Sequence, residues 1–178
     1  MLRIRPAVPN DAELIVQLIR DLAEYEREPQ AAIATTADIL RDGFGPEPKF
    51  RTLIAEWSGT AAGFALFFLN YSTWLGRPGL YLEDLFVRPE FRGNGIGKAL
   101  LQELARIALA ENCYGMKWQV LDWNTPAIDF YEALGAKLQK EWLSVRIMGE
   151  PLKALAEGGD AGLRGSGRDS SQTEVGSE

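Results

Sequence analysis

Apolar and polar positions divide most of the chain into short segments of two periods. Leu2 to Arg5 alternates and predicts a short edge strand. Leu14, Leu18, Leu22 and Tyr25 then share one face at helical spacing behind Pro9 and Asn10. Asn10 is placed to cap and Glu13 sits at the capping-box position, so the pattern predicts a helix that ends near Glu28-Pro29. Thr35 or Thr36 caps a shorter helix that stops at Gly43. Phe50 to Trp57 and Ala62 to Leu69 read as strands, and Ser58-Gly59-Thr60 joins them as a hairpin. Asn70 to Gly79, rich in turn residues and carrying Trp74, predicts a loop.

The stretch from Leu80 to Leu101 is the most informative. Leu80, Tyr81, Leu82, Leu85, Phe86 and Val87 form a near-continuous apolar run that predicts a buried central strand, interrupted only by Glu83 and Asp84. Arg88 and Pro89 end it, the run from Arg92 to Gly97 makes a glycine-rich turn, and Ile96, Leu100, Leu104 and Ile107 fall on one face of a helix. Beyond it the pattern predicts a strand over Gly115 to Leu121 and a helix from Asn124-Thr125-Pro126 to Leu134-Gly135. A last strand over Lys137 to Met148 and a short helix over Glu150 to Glu157 follow. From Gly158 on, six glycines and four serines in 21 residues leave too little apolar surface to offset ordering entropy. Residues 1–157 are therefore expected to form one domain and 158–178 a disordered tail.

Composition narrows the chemistry. A length of 178 residues fits one well-buried domain, and a net charge of -6 without a long basic run argues against nucleic acid while favouring cationic substrates. The single cysteine, Cys113, excludes an internal disulfide; the N-terminal residues hold no apolar signal core and no run reaches spanning length. A cytoplasmic protein without membrane contact is the expectation. Histidine is absent, which removes the commonest general base and metal ligand, so no metal site is expected and proton transfer falls to carboxylates, tyrosine, water or substrate.

A glycine turn at a helix N-terminus offers unpaired N–H groups and the positive end of the dipole to an anion, and Arg92 and Lys98 add charge. The glycines at 93, 95 and 97 match neither the dinucleotide fingerprint nor the P-loop. RGNGIG after a strand resembles instead the acetyl-CoA pyrophosphate loop of the GCN5-related N-acetyltransferases, the GNAT superfamily. YLEDLFV, VLDWN and FYEALGA are similar to segments of its spermidine/spermine acetyltransferase group. YSTW and VLDWN look most like the thialysine N-epsilon-acetyltransferase branch, and Ser72, where polyamine enzymes carry an acidic residue, favours a shorter amine.

The resemblance implies an α/β (α+β) GNAT fold, a mixed, mostly antiparallel central sheet flanked by helices. It implies acetyl-CoA as cosubstrate, held by Arg92, Gly93, Asn94, Gly95, Ile96, Gly97 and Lys98 at the pyrophosphate. Leu85, Phe86 and Val87 would meet the pantetheine arm from one side, and Asn124, Pro126 and Ala127 from the other. Tyr131 would protonate the departing thiolate, a role its phenol can fill. Glu83 is assigned to the amine as acceptor and base through water, with Asp84 beside it, although a regular strand would point the two to opposite faces unless a bulge intervenes. Tyr25, Trp74, Glu141 and Trp142 resemble substrate-side residues, with Glu141 reaching the site of a second subunit in a homodimer. The expected reaction is direct transfer through a tetrahedral intermediate to a small primary amine such as a lysine-like amino acid, diamine or polyamine. Two alternatives stand beside it: acetylation of protein lysines or N-termini, and a non-catalytic acyl-CoA sensor.

Overall fold

Strand order follows the chain in the computed structural model, which describes residues 1–158. β1 (Leu2–Pro6), β2 (Arg51–Trp57), β3 (Thr60–Ser72), β4 (Arg77–Val87) and β5 (Met116–Lys117) lie side by side in that order. The first four pair antiparallel and β5 joins β4 parallel, giving a mixed, mostly antiparallel sheet. The helices are α1 (Ala12–Tyr25), α2 (Thr36–Phe44), α3 (Ile96–Ala110), α4 (Thr125–Ala133) and α5 (Glu150–Ala156). Two compact units divide the chain, one spanning Met1–Asn124 and the other beginning at Thr125.

Both faces of the sheet are covered in the first unit, which is why its central strands read as apolar runs rather than alternating ones. On one face Ala12, Ile15, Val16 and Leu18 of α1 and Ile39 of α2 pack with Ile54, Phe64, Leu66 and Phe86. α3 packs across β1 to β4 and buries Ile96, Leu100, Leu101, Leu104 and Ala108. Each fully buried Leu or Ile here contributes about 1.5–3 kcal/mol through the apolar area it removes from water. Between β2 and β3 the turn is two residues, Ser58 and Gly59, both at positive φ, the geometry that matches strand twist.

Several boundaries differ from the sequence expectation. Asn10 does not cap α1; a short turn, Pro9–Asp11, precedes the helix, and the Asp11 carboxylate accepts from the Val8 N–H at 2.7 Å. Asp11 also accepts two bonds from the Arg5 guanidinium, which holds its carboxyl below the usual range. α1 ends at Tyr25, short of Pro29, because Arg27 takes φ 66°. The Glu28 N–H then donates to Ala23 O and the Arg27 N–H to Glu24 O, a Schellman motif with arginine where glycine is usual. α2 begins behind Thr35 in a capping box with Asp38.

Most of the expected 70–79 loop is hairpin. Tyr71 pairs with Pro78 and Ser72 with Arg77, so only the tip around Trp74 turns. Pro78 lacks a donor but keeps its carbonyl, which accepts from the Tyr114 N–H, and so it is tolerated in the strand. β5 is two residues long instead of seven because its ladder with β4 covers only Leu80 and Tyr81. Lys137 to Met148 forms no strand: among the described residues it has no ladder, and Leu143 and Val145 are 85% and 94% exposed. Alternation fits a strand there, but a strand exists only through a partner. The expected tail lies, beyond Gly158, outside the described residues.

Candidate active site

A single extra residue in β4 shapes the first unit's site. Leu66 pairs with Asp84 and Phe67 with Leu82, so Glu83 has no counterpart on β3. This β-bulge removes the strict alternation that would send Glu83 and Asp84 to opposite faces. It also bends the strand at the point where β5 leaves it. Beyond Tyr81, β4 has β3 on one side and, among the described residues, no strand on the other. Leu85, Phe86 and Val87 thus run along an edge with no strand partner on that side, where an extended ligand could pair, while the Phe86 ring is sunk in the core.

The bulge carboxylates are electrostatically unequal. Glu83 is exposed, whereas burial pushes the Asp84 carboxyl up to about 7, with the charges of Glu83 and Glu26 adding to the rise. Burial also raises the Glu26 carboxyl. Three acidic groups therefore share one field at the end of α1 and the middle of β4, and Asp84 is poised to change charge near neutral pH. Such a cluster favours a cation and can take a proton from it.

Tyr25 connects this cluster to the glycine turn. Its hydroxyl donates to Asn124 Oδ1 at 3.0 Å, and its ring lies against Phe86 and Trp123 at centroid distances of 6.4 and 6.3 Å. The Arg92 guanidinium sits 4.4 Å over that ring and donates through Nε to the Val87 carbonyl at 2.9 Å. Arg92 is thereby folded onto Tyr25, Phe86 and the β4 edge. Asn124 is buried, so its side chain is fixed by this bond.

Gly93 and Gly95 adopt φ 79° and 74°, conformations only glycine takes cheaply, and a Cβ on either would meet nothing within 4 Å. The open space above them adjoins the first N–H groups of α3, whose N-terminus no side chain caps. Asn94 holds the turn by donating to Phe91 O and Arg92 O. Ile96 is buried and anchors the helix start, while Lys98 is exposed on its first turn with Gly97 between them. Open backbone donors, glycine surfaces and a lysine fit an anionic phosphate group.

In the second unit, Pro126, Ala127 and Tyr131 lie on α4, with the Tyr131 ring 5.4 Å from that of Phe130. Gly135 at φ 90° and the Ala136 N–H bond to Tyr131 O close that helix. Glu141 and Trp142 fall in the exposed segment after it. Trp74, 91% exposed, sits at the β3–β4 tip, about 20 Å along the strand from Glu83. Within the first unit the fold thus joins Tyr25, Glu83, Asp84, Phe86, Val87, Arg92 and Asn124 but leaves Trp74 apart. Glu26, Arg27 and Trp123 are additions that sequence reasoning missed. Glu26 and Arg27 adjoin Tyr25 and Trp123 adjoins Asn124, so adjacency to recognised residues was their only signal.

A strand edge with an open glycine turn at one end and a cluster of carboxylates at the other suits a group-transfer enzyme, one that brings an anionic carrier to a cationic acceptor. Comparison with known proteins agrees. Residues 14–136 match the acetyltransferase (GNAT) family, and the chain belongs to that family. It is 39% identical to the thialysine N-epsilon-acetyltransferase of Sus scrofa, across 86% of this chain and 96% of that one. It is 30% identical to an L-ornithine N5-acetyltransferase of Arabidopsis thaliana, across 86% and 87%. Among solved structures, an integron cassette protein from the mobile metagenome of V. cholerae superposes with a TM-score of 0.75 at 27% identity, across 88% and 98%. The family's cosubstrate is acetyl-CoA, and the glycine turn described above suits its pyrophosphate.

Proposed function

We propose that this acetyltransferase transfers the acetyl group of acetyl-CoA directly to a small primary amine, a lysine-like amino acid or a diamine. The observation that carries this reading is the bulge in β4, which gathers Asp84, its carboxyl raised to about 7, with Glu83 and the charge of Glu26 on a strand edge. The names of the thialysine and L-ornithine relatives support the acceptor class.

An amine is a nucleophile only after its ammonium loses a proton. Glu83 and Glu26 attract the ammonium by charge, and Asp84, ionised above about pH 7, takes the proton directly or through Glu83 and water. The freed nitrogen adds to the acetyl carbonyl carbon to form a tetrahedral intermediate; as this collapses the carbon–sulfur bond breaks, the Tyr131 phenol gives its proton to the thiolate, and the second proton that the nitrogen sheds in becoming an amide passes through water to restore the phenol. Gly93 to Lys98 hold the pyrophosphate, Leu85 to Val87 together with Asn124, Pro126 and Ala127 hold the pantetheine arm, and proximity supplies much of the acceleration. Tyr25, Trp74, Glu141 and Trp142 contact the amine, Trp74 and Glu141 from a second copy of the chain. Exposed Tyr71, Trp74 and Leu75 at the hairpin tip support that homodimer, since contact with a copy would cover them. A cytoplasmic setting keeps the lone Cys113 reduced.

The test is a panel of lysine analogues, diamines, polyamines and lysine-containing peptides, each mixed with acetyl-CoA while free thiol is followed. Thiol release with at least one small amine, and not with peptides, is expected. Release with peptides alone would shift the assignment to protein acetylation, and release with none would leave an acyl-CoA sensor.

A further inference from the structure

We propose that Arg27 is the carboxylate-recognising residue of the amine site, selecting amino acids with a terminal amine over diamines of the same length. The inference rests on the small-amine reading and names its substrate class.

The acidic cluster explains how an ammonium is held but offers nothing to an anion. Two cations lie beside its aromatic neighbours: Arg92, whose Nε is committed to the Val87 carbonyl, and Arg27. The Arg27 guanidinium lies 4.5 Å over the Trp123 ring, and the same ring touches Tyr25. Residue 26, next to it in the chain, is the carboxylate whose charge reaches Asp84. Arg27 has no ion pair among the described residues, although Glu26 and Glu28 flank it in the chain. The contact with Trp123 holds the guanidinium in place without using its N–H groups in an ion pair, and a guanidinium can bind a carboxylate through two parallel bonds.

The backbone gives an independent reason to look here. Arg27 occupies the left-handed C′ position of the Schellman motif at φ 66°, where glycine would sit without strain. Positive φ at a non-glycine residue collects at binding sites, where the side chain is worth the strain. A zwitterionic amino acid with a second, terminal amine presents the matching pattern: an ammonium for Glu83 and Asp84 and a carboxylate for Arg27. A diamine lacks the second feature.

The experiment compares matched pairs that differ only by the carboxylate: L-lysine with 1,5-diaminopentane and L-ornithine with 1,4-diaminobutane. The wild-type enzyme is expected to favour the amino acid of each pair in kcat/KM. Arg27→Gly should lower that preference roughly 10- to 100-fold, mainly through the KM of the amino acid, and Arg27→Lys should restore part of it. Because glycine suits the left-handed position, Arg27→Gly should keep or raise the melting temperature, so lost selectivity cannot be lost folding. An unchanged preference in Arg27→Gly, an equal loss for both members of each pair, or a wild type that favours the diamines would overturn the proposal. Failure of the wild type to acetylate any of the four while another small amine is acetylated would overturn this proposal alone, and failure with every small amine of the wider panel would overturn the small-amine reading itself.

Discussion

Asp84 shows most clearly how one position in the chain becomes chemistry. An aspartate in an unfolded chain ionises near 3.9, whereas Asp84 in the fold stays protonated until about 7. Between those values the folded state binds more protons than the unfolded one, so this residue's contribution to stability falls as pH rises from about 4 to about 7 and is flat beyond. Asp84→Asn removes that loss, and its melting temperature relative to wild type should be higher at about pH 8 than at about pH 4. The same change should also flatten the rise of kcat/KM through neutral pH; identical shifts at both pH values and an unaltered profile would remove Asp84 from the account. Tyr131→Phe isolates the other proton: turnover should fall roughly 10²- to 10⁴-fold with acetyl-CoA affinity little changed, and wild-type turnover would refute the acid role. Glu83 and Asp84 were legible in the sequence because two carboxylates inside an apolar strand demand a reason. Glu26 and Arg27 were not, because their significance comes from Asp84 and Trp123, far away in the chain and near only in the fold.

Among the elements, the glycine turn and α3 were the most legible, since a strand, a turn with three glycines and a helix with a clean apolar face follow one another without a gap. The turn also makes the sharpest prediction. Gly95 stands at φ 74° with open space above it, so Gly95→Val strains the backbone and fills the place a phosphate would take. Calorimetry on the folded variant should show acetyl-CoA binding severely weakened; wild-type affinity would overturn the cofactor assignment. The bulge in β4 could be inferred only as a requirement of the resemblance, because nothing in the run from Leu80 to Val87 says which residue β3 will skip. The 137–148 segment marks the opposite limit. Its alternation of Leu143, Val145 and Ile147 satisfies the strand pattern, yet periodicity carries no information about whether a partner edge is available.

For the whole molecule, the pairing of β2 with β3 was legible from the Ser58-Gly59-Thr60 turn, but that of β3 with β4 was not, since 70–79 read as a loop, and the edge places of β1 and β5 depend on connections through helices. The first unit's sheet, with a helix layer on each face, presents its carboxylates and its phosphate turn from neighbouring strand and helix ends. The central claim is that this arrangement joins an acetyl donor to a small amine, and the most direct test follows the acetyl group itself. Enzyme is mixed with acetyl-CoA labelled in the acetyl carbonyl and with L-ornithine or L-lysine, and mass spectrometry then follows the label in both the small-molecule and the protein fractions. The account predicts one labelled acetyl on the terminal nitrogen of the amino acid for every thiol released, and none accumulating on the chain. Label on protein lysines, or thiol released without labelled amine, would contradict it.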